Sequence, residues 1–114
     1  MKEFESLLPH HRLIAYQAAG ELLDAVRAAR IREPRLRDQA LRAACSTCLN
    51  IAEGAGKSLA GERRRAFSIA RGEAVEAVAA VEVAVRGGSA RSETLAAVVR
   101  AGNRVYALLT GLMR

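Results

Sequence analysis

The sequence lacks tryptophan, and aromatic residues of all kinds make up only 4% of it. Sandwich and barrel cores rely on aromatic and β-branched residues, so this shortage disfavours both folds. Proline is scarce as well, because only Pro9 and Pro34 occur. Long stretches without proline that are rich in alanine, the strongest helix former, favour an all-helical chain.

Long apolar runs are also missing. No segment approaches the ~20 apolar residues that a helix needs to cross a bilayer. The opening stretch from Met1 to Ser6 has no apolar centre of the kind found in signal peptides. We therefore expect a cytoplasmic protein that does not enter a membrane.

Metal-binding residues are few. Cys45 and Cys48 have the C-x-x-C spacing of redox and zinc sites, but zinc would need two more ligands. The only histidines, His10 and His11, are adjacent and poorly spaced to complete a tetrahedron. No Glu-x-x-His motif of a di-iron bundle occurs. We expect no metal, no cofactor and no enzymatic activity, and we expect both cysteines to pack in the core as small hydrophobic residues.

The segment from Gly54 to Ser58, Gly-Ala-Gly-Lys-Ser, resembles part of a phosphate-binding P-loop. The full motif places a glycine five positions before Gly56, where this chain has Ile51, and a strand must lead into the loop. Here the preceding residues follow helical spacing. The end of one helix followed by an N-cap at Ser58 explains the segment better than a nucleotide site does.

Hydrophobic residues make up 51% of the chain and recur at helical spacing in four segments separated by short connections. This pattern predicts an all-α fold, an antiparallel up-down-up-down four-helix bundle in which residues 1–114 form one domain. Ser89 or Ser92 is expected to cap the last helix. The predicted helices span about 9–30, 34–55, 60–86 and 92–113.

Helix two has one apolar and one polar side. The apolar side, which we expect to face the core, comprises Leu41, Ala44, Cys45, Cys48, Ala52 and Ala55. The polar side comprises Gln39, Arg42, Ser46, Asn50 and Glu53. Serine and asparagine are poor helix formers, so we interpret the polar side as a structural hydrogen-bond network. A solvated face and a ligand site are the alternatives.

Helix three carries two apolar stripes. The first, between Phe67 and Val85, is sufficient to face the bundle. The second lies more than a quarter turn away and includes Gly72, Val75, Ala79 and Val83. Because a bundle helix usually needs one buried face, the second stripe predicts an interface between copies of the chain. The alternative is a broader core within one subunit.

Positive charge is the other prominent feature, with 18 Lys and Arg against 12 Asp and Glu and a net charge of +6. Such a balance favours a polyanionic partner, although an arginine-rich proteome would produce the same bias. The candidate nucleic-acid-binding residues are Arg30, Arg32, Arg35 and Arg37 around the first connection and Lys57, Arg63, Arg64, Arg65 and Arg71 around the second. Since few aromatic residues are available for stacking, we expect binding through charge and shape.

The run Gln39-Ala-Leu-Arg-Ala-Ala-Cys-Ser-Thr-Cys-Leu-Asn-Ile-Ala-Glu-Gly54 resembles the signature of the four-helix-bundle family, the ribosomal RNA intervening-sequence proteins. Phe67-Ser-Ile-Ala-Arg-Gly72, the later Glu76 and the early Tyr16-Gln17 are similar to that family as well. The chain departs from the family pattern at Glu73-Ala74, where Ser-Leu is commoner. It also has two cysteines where small apolar residues are usual.

This resemblance implies a homopentamer of four-helix bundles with no established enzymatic activity. A distant relative of the family, the accessory protein of diversity-generating retroelements, partners a reverse transcriptase and RNA through a basic surface. We therefore interpret the chain as a non-catalytic homo-oligomeric accessory protein that binds RNA or DNA, with a reverse transcriptase as a further implied partner. The alternative is a protein-interaction scaffold that binds no nucleic acid.

Overall fold

The computed structural model describes residues 8–114, and this part of the chain is helical without any strand. Its elements are a 3-10 turn at Pro9–Arg12, α1 at Ile14–Ala28, α2 at Pro34–Gly56, α3 at Ala60–Arg86, a second 3-10 turn at Ser92–Thr94 and α4 at Leu95–Leu112. The predicted all-α fold with four helices is confirmed. The stretch from Met1 to Ser6, for which the sequence predicts no signal peptide, lies outside the described residues.

The middle two helices lie within one residue of their predicted bounds, whereas the outer two are shorter than predicted. Pro9 begins a separate 3-10 turn because the backbone at Leu13 is extended, with φ −93° and ψ 123°. The first helix ends at Ala28 because Arg30 adopts a left-handed conformation, with φ 49°. None of the helices in residues 8–114 combines the length and the apolar character needed to cross a bilayer.

The predicted serine caps are wrong. Leu59 precedes α3 and Thr94 precedes α4, and at neither helix start does the side chain of that residue accept a hydrogen bond from the first backbone N–H groups. Ser92 lies in the 3-10 turn before α4, where its hydroxyl faces Glu93 instead of a helix end. Serine preference identifies a helix start only when the chain turns at that residue, and here each helix begins later.

Neighbouring helices contact one another at several levels. Between α2 and α3, Ser46 bonds Glu73 and Gly54 lies against Phe67. Between α3 and α4, the side chain of Arg71 bonds that of Thr110, and the side chain of Arg64 bonds the carbonyl of Met113. In both pairs the residue numbers rise along one helix as they fall along the other, so each pair runs in opposite directions.

The core is built mostly from alanine, with a few large side chains such as Phe67, Leu22 and Ile51 fully buried. Small residues let α2 and α3 approach closely. A Cβ atom placed on Gly54 would lie 2.7 Å from Cε1 of Phe67 and 3.1 Å from Cβ of Ala66. Glycine at this position is therefore required by packing, which explains part of the segment that resembles a P-loop.

The buried side of α2 is turned by about a quarter of a helical turn from the predicted one. Ala40, Ala43, Thr47 and Ile51 face the core, whereas Cys45 is exposed and Cys48 is half-buried. The prediction that both cysteines pack in the core is therefore wrong for Cys45, whereas Cys48 packs against the edge of the core. Thr47 can be buried because its hydroxyl donates a 2.8 Å hydrogen bond to the carbonyl of Ala43. A pattern that counts threonine as polar misplaces the apolar face.

We expect Gly54→Ala to destabilise the fold by about 1–3 kcal/mol, because α2 must move away from the buried ring of Phe67. The matched control is Gly20→Ala in α1, where a Cβ would meet no atom within 4 Å. That change should stabilise the fold by about 0.5–1 kcal/mol through helix propensity. Urea denaturation followed by circular dichroism, at one protein concentration, measures both. Shifts of the same sign would contradict the close approach of α2 and α3.

Candidate nucleic-acid interface

Five arginines lie within the connection between α1 and α2 or in the helix turns next to it. Arg30, Arg32, Arg35 and Arg37 are all exposed, as is Arg27 in the last turn of α1. These arginines lie close together because all five belong to the short connection in which the chain reverses direction, or to the helix turns on either side of it. Four of them line one pocket, described below. The predicted first cluster is thus assembled by the fold.

The α3–α4 connection lies at the same end of the bundle. The backbone N–H of Arg32 donates a 2.9 Å hydrogen bond to the carbonyl of Ser89. The N–H of Glu33 donates a 2.8 Å hydrogen bond to the Ser89 hydroxyl, and the Arg32 guanidinium donates to the carbonyl of Gly88. Ser89, one of the two serines expected to cap α4, therefore ties two connections together.

This joining adds Arg86 and Arg91, which flank the α3–α4 connection, to the same end. Neither residue is among the sequence-based candidates. The signal that could have found them is topological, since the first and third connections of an up-and-down bundle lie at one end. Arg91 is partly neutralised, because it pairs with Glu93 at 3.6 Å. Backbone hydrogen bonding, followed by the charge of Arg91, lowers the pKa of Glu93.

Carboxylates do not neutralise the first cluster. Within residues 8–114 the ion pairs are Lys57 with Glu53, Arg91 with Glu93, and Arg104 with Glu21. Glu33, the acid within the connection, caps α2 by accepting hydrogen bonds from the backbone N–H groups of residues 35 and 36, at 3.2 and 2.7 Å. The guanidinium groups of the α1–α2 connection therefore keep their charge available to a polyanion.

Arg30 occupies an unusual backbone conformation. Its φ of 49° places it in the left-handed region, where a non-glycine residue costs roughly 1–2 kcal/mol. Glycine or asparagine usually fills this position after a helix. Arginine here therefore carries a backbone cost that glycine would avoid.

The second predicted cluster is largely used inside the subunit. The Arg63 guanidinium donates to the carbonyls of Ala55 at 3.1 Å and Lys57 at 3.2 Å. It also lies over the ring of Phe67, 5.6 Å from the centroid. These carbonyls are at the end of α2, where they lack helical partners. Arg63 therefore closes the C-terminus of α2.

Two further arginines of the second cluster bridge α3 and α4. The Arg71 guanidinium donates a 2.9 Å hydrogen bond to the Thr110 hydroxyl and lies 5.0 Å from the centroid of the Tyr106 ring. Arg64 donates a 3.2 Å hydrogen bond to the carbonyl of Met113. Lys57 pairs with Glu53 at 4.0 Å, and Arg65 is exposed. The two predicted clusters differ in degree: two of the four side chains of the first, Arg30 and Arg35, make no hydrogen bond or ion pair within residues 8–114, against only Arg65 among the five of the second.

The predicted polar network on α2 forms in part. The Ser46 hydroxyl donates a 3.0 Å hydrogen bond to Glu73 of α3. The Asn50 amide donates to the carbonyl and the hydroxyl of Ser46, at 2.9 and 3.0 Å. Gln39 and Arg42 are exposed and do not join these bonds. Ser46 and Asn50 therefore link two helices through Glu73, the acid that departs from the family pattern, while Glu53 pairs only with the nearby lysine.

Cys45 and Cys48 are both free thiols, the first exposed and the second half-buried. Burial raises the pKa of the Cys48 thiol, and the neighbouring Cys45 raises it further. A raised pKa keeps the thiol protonated, and the thiolate is the form that attacks or binds metals. Within residues 8–114 no group of His, Cys, Asp and Glu side chains is placed to hold a metal ion.

The second apolar stripe of α3 lies on the outer surface of the isolated subunit. Val75 is 52% exposed and Val83 is 54% exposed, with Gly72 exposed and Ala79 half-exposed between them. These residues do not broaden the core, as the alternative interpretation required. Large apolar side chains left this open on one side of a helix are typical of an interface.

Comparison with known protein families identifies the family of this chain. A family model described as 23S rRNA-intervening sequence protein matches residues 11–111. A search of curated proteins produced no match. The match extends from the first 3-10 turn to the last turn of α4 and thus includes the whole α1–α2 connection with its arginines. On this evidence the chain belongs to the 23S rRNA-intervening sequence protein family.

Proposed function

We propose that the chain is a non-catalytic, homo-oligomeric accessory protein of the cytoplasm that binds structured RNA. Binding is through the arginine-rich end, which we define as residues 27, 30, 32, 35 and 37. The observation that carries the proposal is the concentration at that end of guanidinium groups that have no carboxylate partner within residues 8–114. Arginine suits this role because its planar fork bonds phosphate oxygens in pairs.

The family supports RNA as the polyanion, because its name ties its members to an intervening sequence of 23S ribosomal RNA. The composition supports recognition by charge and shape. Only two Tyr and two Phe are available for base stacking, and of these Phe67 is buried. Double-stranded RNA is recognised mostly by such contacts to its backbone and minor groove.

Oligomerisation strengthens this function. A single subunit has only a small basic surface, so its affinity for the phosphates of an RNA is low. In a ring of five, the same end recurs on every subunit, and linked contacts raise the overall affinity without any new interaction. A closed ring uses two different surfaces of each subunit, and the outer stripe of α3 is our proposal for one of them.

A salt-titrated gel-shift experiment tests the function, with a structured RNA hairpin, duplex DNA and single-stranded DNA as probes. We expect the hairpin to bind at low salt, with a steep linear fall of log affinity against log salt. We expect single-stranded DNA to bind more weakly, because bases have few aromatic partners. Absence of binding to all three probes at low salt would reject the proposal and favour the protein-interaction scaffold.

A further inference from the structure

A pocket of about 500 Å³ opens at the arginine-rich end between the end of α1 and the start of α2. It is lined by Val26, Arg27, Arg30, Ile31, Arg32, Arg37 and Leu41. We infer that this pocket binds one unstacked nucleotide, with the base on the apolar floor and the phosphate between the arginines. If the nucleotide is part of an RNA, the inference rests on the proposed function. If the nucleotide is a free molecule, the inference is independent of that function.

The floor of the pocket is apolar. Val26 and Ile31 are 2% and 3% exposed, so they close the base of the pocket but leave little of their own surface open to a ligand. Leu41 is half-buried and forms part of the wall. A phosphate ion gains nothing from such a surface, whereas a nucleobase has a flat apolar face that it can bury there. The lining therefore fits a ligand with an apolar ring and an anionic group.

The guanidinium groups around the rim are in part held in place. Arg32 is bonded to the carbonyl of Gly88, and Arg37 donates a 3.5 Å hydrogen bond to the carbonyl of Arg32. Arg27 and Arg30 have no carboxylate partner within residues 8–114. Side chains that are already ordered lose less entropy on binding. The rim thus combines two ordered cations with two that can close over a ligand.

Arginine also compensates for the shortage of aromatic residues. Unpaired bases stack on guanidinium planes as well as on aromatic rings. Arg30 lies on the pocket and keeps a left-handed backbone at a site that favours glycine. A role in holding the ligand explains why this position has a side chain at all.

Equilibrium dialysis of the full-length protein with adenosine monophosphate, adenosine and inorganic phosphate tests the pocket. We expect the monophosphate to bind at least about tenfold tighter than either fragment, since it alone uses both floor and rim. Equal affinities for the monophosphate and for phosphate would overturn the inference, because the floor would then contribute nothing. The gel-shift experiment on RNA is separate, so failure of the pocket leaves the proposed function standing.

Two substitutions sharpen the test. Leu41→Gln keeps every charge and should abolish the preference for the monophosphate over phosphate. Arg30→Gly should weaken the monophosphate about tenfold or more while leaving the melting temperature unchanged or higher, because glycine suits the backbone there. The matched control is Arg100→Ala, which removes an exposed arginine of α4 outside the pocket and should leave dialysis unchanged. Normal monophosphate binding by both pocket variants would overturn the inference.

Two RNA hairpins distinguish an RNA residue from a free nucleotide as the ligand. One contains a single bulged adenosine, and the other lacks that adenosine but is otherwise identical and fully paired. Tighter binding of the bulged hairpin, lost in Leu41→Gln, supports an unpaired RNA residue as the ligand. Monophosphate binding without any advantage of the bulge supports a free nucleotide. Binding of both hairpins with no monophosphate binding and no effect of the bulge would refute the pocket and retain the function. Monophosphate binding with no RNA binding would retain the pocket and reject the function.

Discussion

Replacement of Val83 by glutamate is expected to convert the oligomer into monomers without unfolding the subunit. Val83 is 54% exposed in the single chain, so a charged side chain there faces water and disturbs no core contact. In an interface the change removes about 1.5 kcal/mol of apolar burial and adds several kcal/mol of carboxylate desolvation. A loss of about 4 kcal/mol weakens association by roughly a thousandfold.

Light scattering behind size-exclusion chromatography measures this directly. The unmodified protein should have a mass about five times that of the 12.2 kDa chain, and the variant a mass of one chain. The matched control is Ala107→Glu, which adds the same charge at an exposed position of α4. It should leave the assembly intact. A monomeric unmodified protein, or a Val83→Glu variant with the full assembly mass, would refute the interface on α3.

The fold could be predicted from the sequence because local preference and apolar spacing agree. Alanine-rich segments bounded by proline and paired glycines give two helices nearly to the residue. The rotation of α2 could not be predicted, because it depends on Thr47 bonding its own helix and on Gly54 admitting the ring of Phe67. The first effect is a bond within one helix and the second is a contact between two helices, and a pattern of apolar and polar letters contains neither.

For the candidate site, too, only part of the arrangement could be predicted from the sequence. Sequence clustering found both groups of arginines, since neighbours in a short connection remain neighbours in space. It could not tell that Arg63 closes α2 or that Arg71 bridges to Thr110, because those partners lie in other parts of the chain. The carbonyls at a helix end and a hydroxyl on α4 attract guanidinium groups as a phosphate would. The number of arginines therefore overstates the charge available to RNA.

Reversal of charge at Arg30 and Arg35 is expected to lower affinity for structured RNA roughly a hundredfold at low salt. Two phosphate contacts are lost in each subunit that touches the RNA, so the slope of log affinity against log salt should fall by about two for every such subunit. Both side chains are exposed, and glutamate at position 35 lies in the first turn of α2, where the helix dipole favours it. The fold should therefore persist, as a melting curve can verify.

The control must carry the same change of net charge. Arg65→Glu with Arg100→Glu provides it, because both arginines are exposed on α3 and α4, away from the α1–α2 connection. A uniform loss of positive charge weakens long-range attraction in both double variants alike. Any difference between the two then reports direct contact at the arginine-rich end.

The most direct test of RNA binding at the α1–α2 connection is this pair of double variants in one salt titration with the RNA hairpin. We expect Arg30→Glu with Arg35→Glu to lose most of the affinity and part of the salt slope, while the control stays within about threefold of the unmodified protein. Equal losses in the two variants would contradict a binding surface at the α1–α2 connection. Greater loss in the control would place the RNA on the outer faces of α3 and α4 instead.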